Sequence, residues 1–404
     1  MKTIHIQPEM NIKECTQLSL RIVAPIHIGN HEGELKALEF ICDQGKTYII
    51  DENKLGIFLR KHNLIDYFVN YVKGERLPSI KDFLQKKTRE DIPKILPQIT
   101  HRVLPGGDRS MSGLRSLIRD AYGHVFIPGA SLKGALRTAL LYQAIDQNPG
   151  DAHKLEGIIL RSLQGKKLRE YEKKQFSSKK LNLQERRLQN FNLPDARQNP
   201  HKDILRCLSV RDAYPVGDCK TQVINIKFLS KGQDGRHYFS QRKSGYGFSS
   251  GKDLQIWAEA IVAGTFVTTL VWDKQLYAQF RKENDIFIQR LDDCISSVAT
   301  FNNNLINHEK AFYTSQYPIA QNVKKWYGGL GENMFRIGFG SGMLSTTIDI
   351  LFSDKVRQEI RNVCGNPRGT DPAPKTRRIW QREDGQWLPM GWMAMKEKRD
   401  EEKS

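Results

Sequence analysis

The chain has no run of about 18 apolar residues, the length a bilayer-spanning helix needs. Its first stretch, MKTIHIQPEMNIKEC, has no apolar h-region of a secretory signal, and neither end carries a lipidation motif. Cysteine is sparse. Cys15, Cys42, Cys207, Cys219, Cys294 and Cys364 are scattered with no CxxC pair, which argues against a zinc site or a disulfide frame and fits reduced thiols. Acidic residues fall short of basic ones, 45 against 63, leaving a net charge of +18. These shortages lead to the expectation of a cytoplasmic protein with no membrane partner, metal or cofactor. Its cationic surplus then points to a polyanion, most simply nucleic acid.

Two glycine-loop signatures are incomplete as well. RIGFGSGML supplies Gly338, Gly340 and Gly342, but the third glycine of a dinucleotide fingerprint would fall on Met343. GYGFSSGKD resembles a Walker A loop, yet Tyr246 stands where its first glycine belongs and Asp253 where Ser or Thr is needed. Neither a nicotinamide nor a nucleoside-triphosphate site is supported. The phosphates of a polynucleotide remain, because a glycine turn between strand and helix aims free backbone N–H groups at an anion. Arg242, Lys243, Tyr246 and Phe248 around the second loop could meet an RNA strand by charge and stacking.

What is present suffices for two domains. The chain has 404 residues, 39% of them hydrophobic, with 18 Phe to fill cores. Alternation in LSLRIVAPIHIGN (18–30) predicts a strand entering a glycine turn, and 37–51 a hairpin turning at Gln44-Gly45. Apolar spacing in 52–72 predicts one helix or two. A short strand ends at Pro128-Gly129 and a helix follows, with further strands over 207–216, 221–229 and 385–396. Two strands flank Ala263-Gly264, a long amphipathic helix covers 274–301, and strand, glycine loop and helix follow over 333–352. The stretch 151–205 is highly charged and low in core residues, and reads as an exposed helix or insertion. The expected class is α+β, with an N-terminal domain over 1–216 carrying this basic insertion and a C-terminal domain over 217–404 carrying the glycine loop.

IPGASLKGALRTALL (127–141) is the most unusual segment. Lys133 and Arg137, one turn apart on a helix, repel by a few tenths of a kcal/mol, and Gly134 inside the helix costs roughly 1 kcal/mol relative to Ala. With Leu132, Leu136, Ala139 and Leu140 as the core stripe, both cations lie off it near the N-terminus. An anion there would relieve the repulsion, and Gly134 would let a backbone come close.

IRDAYGHVFIPGASLKGALRTAL is similar to a characteristic segment of the RAMP superfamily of CRISPR proteins. LSLRIVAPIHIGN resembles that family's first strand and turn, FRIGFGSGMLSTTI its C-terminal glycine-rich loop, and QWLPMGWMAMK a closing strand. Their order fits best the subfamily that supplies the fifth subunit of Csm-type, type III-A effector complexes. The resemblance implies two ferredoxin-like (RRM-type) domains and a single-copy RNA-binding subunit. Such a subunit caps the 3′ portion of the crRNA and supports its maturation by recruiting host nucleases rather than cutting. Its partners would be crRNA, with target RNA as a further candidate, the repeated Csm backbone subunit and the small helical subunit. A Cas ten-type protein would sit at the opposite end. Carried over by residue, Gly129, Ser131, Lys133 and Arg137 line the guide backbone, His27 and Gly29 form a facing turn, and Arg336, Gly338, Gly340, Ser341 and Gly342 form the glycine contact.

The alternative is a RAMP endoribonuclease that processes pre-crRNA or cleaves target RNA. His27 and His31 are the histidine pair nearest the expected RNA face, and imidazole can serve as general acid or base toward a 2′-hydroxyl. The target-cutting backbone subunits use an Asp after the first strand, where this chain has NHEGE, with Glu32 and Glu34 but no Asp. A metal held by His27 and His31 is disfavoured, because the two are expected to straddle a strand end rather than to share the face of one helix.

Overall fold

A computed structural model describes residues 12–88, 90–147, 149–163, 203–243, 249–281, 290–364 and 368–398. Period-two alternation builds its first sheet. Leu18, Leu20 and Ile22 of Lys13–Ile22 are buried, as are Phe266, Thr268, Leu270 and Trp272 of Thr265–Asp273. From edge to edge the sheet runs Met334–Arg336, Trp392–Lys398, Lys13–Ile22, Thr265–Asp273 and Leu208–Val210, antiparallel throughout, with Tyr214–Pro215 also on Thr265–Asp273. Helices Gly129–Asp146 and Leu291–Phe312 pack on it and on each other, sharing one core with its buried face. Taking Lys13–Ile22, Leu208–Val210, Thr265–Asp273 and Trp392–Lys398 as strands 1 to 4, their order across the sheet is 4-1-3-2. One of the two helices follows strand 1 and the other follows strand 3.

The second sheet runs Trp387–Pro389, Thr376–Gln381, Lys220–Lys231, Gln255–Ala263, Gly113–Leu117 and Gly29–Lys36, with His237–Phe239 added on Lys220–Lys231. A third, small sheet of Phe40–Asp43, Lys46–Ile50 and Thr100–Pro105 carries four helices between its last two strands: Glu52–Lys61, Ile65–Gly74, Ile80–Lys87 and Ile92–Ile99. Asp51 and Ser79 cap two of these helices by accepting from the amides of Lys54 and Asp82. Phe58, Leu59, Phe83, Leu84, Ile95 and Ile99 give this part a core of its own.

The 37–51 hairpin forms with Gln44 and Gly45 at positive φ, 47° and 72°. The 52–72 segment is two helices, and two strands flank Gly264. Other expectations are corrected. The 274–301 pattern is realised as Lys274–Arg281 and Leu291–Phe312, with 282–289 outside the described residues. The charged 151–205 stretch is not uniformly exposed: Pro149–Leu163 is a helix whose Ile159 and Leu163 join the main core, while 164–202 lie outside the described residues. Helix after the glycine loop is a single turn, Met343–Thr346, because Thr346 and Thr347 turn their hydroxyls back onto the Gly342 and Met343 carbonyls and the chain leaves the helix. Both large sheets take strands from each side of residue 216, so a break there would cut through both.

Candidate nucleic-acid interface

The first strand leaves one sheet and enters the other at Pro25–Gly29, and there the glycine loop meets it. Gly391 N donates to the Pro25 carbonyl (2.7 Å), Ile337 N to the Gly391 carbonyl (2.9 Å) and Phe339 N to the His27 carbonyl (2.7 Å). Gly338, Gly340 and Gly342 all have positive φ, 84°, 88° and 80°. At Gly338 a Cβ would lie 2.7 Å from the His27 carbonyl oxygen, and at Gly340 it would lie 3.0 Å from both Arg378 Cβ and Met390 Cβ. Gly338 and Gly340 are therefore fixed by backbone conformation and close packing together, and Gly342 by backbone conformation alone. Ser341 Oγ donates to the Gly338 carbonyl (2.7 Å) and closes the loop on itself. His27, Gly29, Gly338, Gly340, Ser341 and Gly342, distant in sequence, form one feature in which His27 and Ser341 are buried while the glycines are half-buried or exposed.

Three side chains complete it. The Arg115 guanidinium lies over the Phe339 ring, 4.7 Å from its centroid. The Arg378 stem packs on Gly340, and its guanidinium reaches Thr376 Oγ1 at 3.4 Å. Burial, then Arg377, Arg336 and Arg115, push the Arg378 pKa down, the mark of a strongly cationic neighbourhood. Among the described residues neither Arg115 nor Arg378 has an ion-pair partner. Sequence reading missed Arg115, Phe339 and Arg378, because Arg115 and Arg378 come from strands far from the loop and Phe339 was passed over between two glycines. GFG itself was the available signal.

Arg336 is corrected. Its side chain is fully buried, with Nε donating to the Met390 carbonyl (3.2 Å), Nη2 to the Gly340 carbonyl (3.4 Å) and Nη1 3.5 Å from Glu309 Oε1. It braces the loop from behind and presents no charge to a ligand. His27 is 2% exposed, and its Nδ1 sits 2.7 Å from the Glu259 carbonyl oxygen. Burial pushes its pKa down. A buried ring held this way is poorly placed as an acid or base toward a 2′-hydroxyl. Glu259 is itself buried and pairs with Arg102 (3.2 Å) and Arg119, which ties the small sheet to this turn. His31 lies in Gly29–Lys36.

The helix cations are already occupied. Lys133 Nζ donates to the Leu208 carbonyl (2.7 Å) and Arg137 Nη1 to Asp203 (2.6 Å). The repulsion foreseen between them is thus relieved inside the molecule. Gly129 N donates to Asp212 Oδ1 (2.7 Å), and a Cβ on Gly129 would collide with the Val210 carbonyl, so this glycine serves helix–strand packing. Ser131 is half-buried one turn from Gly134, where a Cβ would meet nothing. Gly134→Ala should raise unfolding free energy by about 1 kcal/mol in urea titration. If a nucleic-acid backbone approaches this face, the same change should weaken RNA binding. Unchanged affinity would remove the face from the interface. Of the second glycine loop, Tyr246 and Phe248 lie outside the described residues, while Gln241–Lys243 pairs with Ser249–Asp253.

Residues 19–341 match the family model of the RAMP superfamily. The chain belongs to that superfamily. RAMP relatives similar to it include the CRISPR system Cms protein Csm5 of Enterococcus italicus, 29% identical over 32% of this chain. The protein of the same name from Streptococcus thermophilus is 32% identical over 31% of this chain. These two alignments span only 43% and 37% of the relatives' own lengths. The Csm5 of Methanocaldococcus jannaschii is 19% identical over 94% of this chain and 88% of its own length. Among solved structures, the RAMP fold here is similar to a chain in a cryo-EM structure of a Csm–crRNA–target RNA ternary complex of a type III-A CRISPR-Cas system. Its TM-score is 0.64 at 20% identity, covering 94% of this chain and 100% of that one. The crystal structure of T. onnurineus Csm5 gives a TM-score of 0.58 at 21% identity, covering 93% and 99%.

Proposed function

We propose that this chain is the RNA-binding subunit of a type III-A Csm effector complex, capping the 3′ end of the crRNA and supporting its maturation without cutting it. One observation carries the reading: two guanidinium groups without carboxylate partners, Arg115 and Arg378, converge with Phe339 on a glycine loop braced by the His27 turn. Cations for phosphates and an aromatic face for a base are the two parts of a sequence-tolerant single-strand site. The net charge of +18 and the Csm5 names of the relatives support it. The 4-1-3-2 order of the first sheet, with its two helices, supports a ferredoxin-like unit woven from both halves of the chain. In this reading the repeated Csm backbone subunit and the small helical subunit are neighbours, and host nucleases trim the guide. Guide sequences vary, so only backbone, 2′-hydroxyl and stacking contacts are needed.

The test is a gel with end-labelled crRNA-like RNA, with and without Mg²⁺, across a salt series. Binding should fall on a log–log plot by about 0.7 per phosphate contact, and the RNA should stay intact. His27→Ala should leave RNA integrity as it is in the wild type. Discrete cleavage lost in His27→Ala would replace the cap reading with the ribonuclease.

A further inference from the structure

A second cationic feature lies beyond the buried Glu309, which Arg377 shares with the Arg336 that braces the glycine loop, and it does not depend on the RNA reading. A cleft of about 560 Å³ opens between the loop preceding Thr376–Gln381, the first turns of Asp354–Cys364 and the end of Leu291–Phe312. Lys231, Arg357 and Arg377 line it, with His308 and Asp354 at its edge and Phe312 in its wall. Three full positive charges thus face one carboxylate. Glu309 lies behind Arg377 and is shared with Arg336, so it adds no net negative charge to the cluster.

These cations crowd one another. Lys231 Nζ and the Arg377 guanidinium both approach the Phe312 ring, at 5.7 Å and 3.9 Å from its centroid. Among the described residues Lys231 has no carboxylate within ion-pair distance. Arg357 is 8% exposed. Its Nη atoms reach the Phe352 and Asp349 carbonyls and Asp354, but its buried Nε has no partner. Burial and then Arg377 push the Lys231 pKa down, and burial and then Arg357 push that of His308 down. Both groups thus lie within reach of the cluster's guanidinium groups, with Asp354 acting on each in the opposite sense. A fold that holds like charges in a half-buried cleft of ligand size is arranged for an anion.

We propose that this cleft binds a terminal phosphate group, with Lys231 as the side chain that makes the contact and Arg357 and Arg377 supplying the field. A dianionic phosphate fits the surplus of two charges, and ammonium and guanidinium are its common partners. Free phosphate, a mononucleotide phosphate and the 3′-phosphate of an RNA strand all present this group.

The test uses the full chain and inorganic phosphate, followed by thermal unfolding against sodium chloride of equal ionic strength. Saturable stabilisation by phosphate beyond that of chloride is expected, with the apparent Kd raised at least tenfold in Lys231→Met and restored in Lys231→Arg. Without phosphate, Lys231→Met should melt no lower than the wild type, since it removes a repelled charge. Phosphate acting no better than chloride, or equally on Lys231→Met, would overturn the proposal. Adenosine 3′-monophosphate and paired short RNAs ending in 3′-phosphate or 3′-hydroxyl then distinguish the source. Preference for the phosphorylated RNA assigns the site to a strand end, and equal binding of the two RNAs beside tight mononucleotide binding assigns it to a free nucleotide.

Discussion

Glu309→Ala should destabilise the protein by about 3–5 kcal/mol, read from urea unfolding, because it strands two buried guanidinium groups. Glu309 is 2% exposed on helix Leu291–Phe312. It accepts from Arg377 Nε at 2.6 Å and lies 3.5 Å from Arg336. Burial alone would raise its pKa, but Arg377 and Arg336 outweigh burial and hold it below the usual carboxylate range. The sign follows. With the folded-state pKa below the unfolded value of about 4.3, the contribution is complete above that pH. It is lost as the pH falls through the folded value. Glu309→Gln should therefore flatten the acid side of the stability profile while keeping the shape of the side chain. The loss also reaches the interface, since Arg336 holds the Gly340 carbonyl. RNA affinity should fall in Glu309→Gln even where the protein remains folded. A Glu309→Ala protein within 1 kcal/mol of wild type would mean that the arginines find other partners and the brace is dispensable.

How much of this was legible in the sequence depends on the range of the forces involved. Local devices were readable: the Gln44-Gly45 hairpin, the strand break at Gly264 and the core stripe Leu132, Leu136, Ala139 and Leu140 all rest on backbone conformation or periodicity. The pairing of the His27 turn with the glycine loop was not foreseen: the family resemblance named the two segments separately, some 300 residues lie between them, and no local pattern encodes their contact. Charge was read least well. A sequence does not tell a cation facing solvent from one facing a buried carboxylate, so Arg336 was taken for a contact residue while Arg115 and Arg378 were passed over. Lys133 and Arg137 were recognised as frustrated. Their relief came from Leu208 and Asp203, more than 60 residues downstream.

Phe339→Ala should weaken binding of single-stranded RNA by about 1–3 kcal/mol, the worth of one base–aromatic stack. That corresponds to roughly 5- to 150-fold in Kd. Phe339 is half-buried, with Arg115 over its ring and His27 edge-on at 5.9 Å, so the ring is held rigidly where the loop meets solvent. A held ring loses little entropy on stacking, which places the effect in the middle of that range. Since the ring carries no charge, the salt dependence should not change, whereas Arg115→Ala should reduce the log–log slope by about 0.7. The two side chains touch, so their losses should not add, and a double-mutant cycle should return a coupling between them. Phe339→Trp keeps a stacking face and should retain affinity. Loss of affinity in Phe339→Ala with a matched drop in salt slope would assign the ring to shaping Arg115 rather than to a base. Wild-type affinity in Phe339→Ala, with an unchanged unfolding midpoint, would take the glycine loop out of the RNA interface altogether.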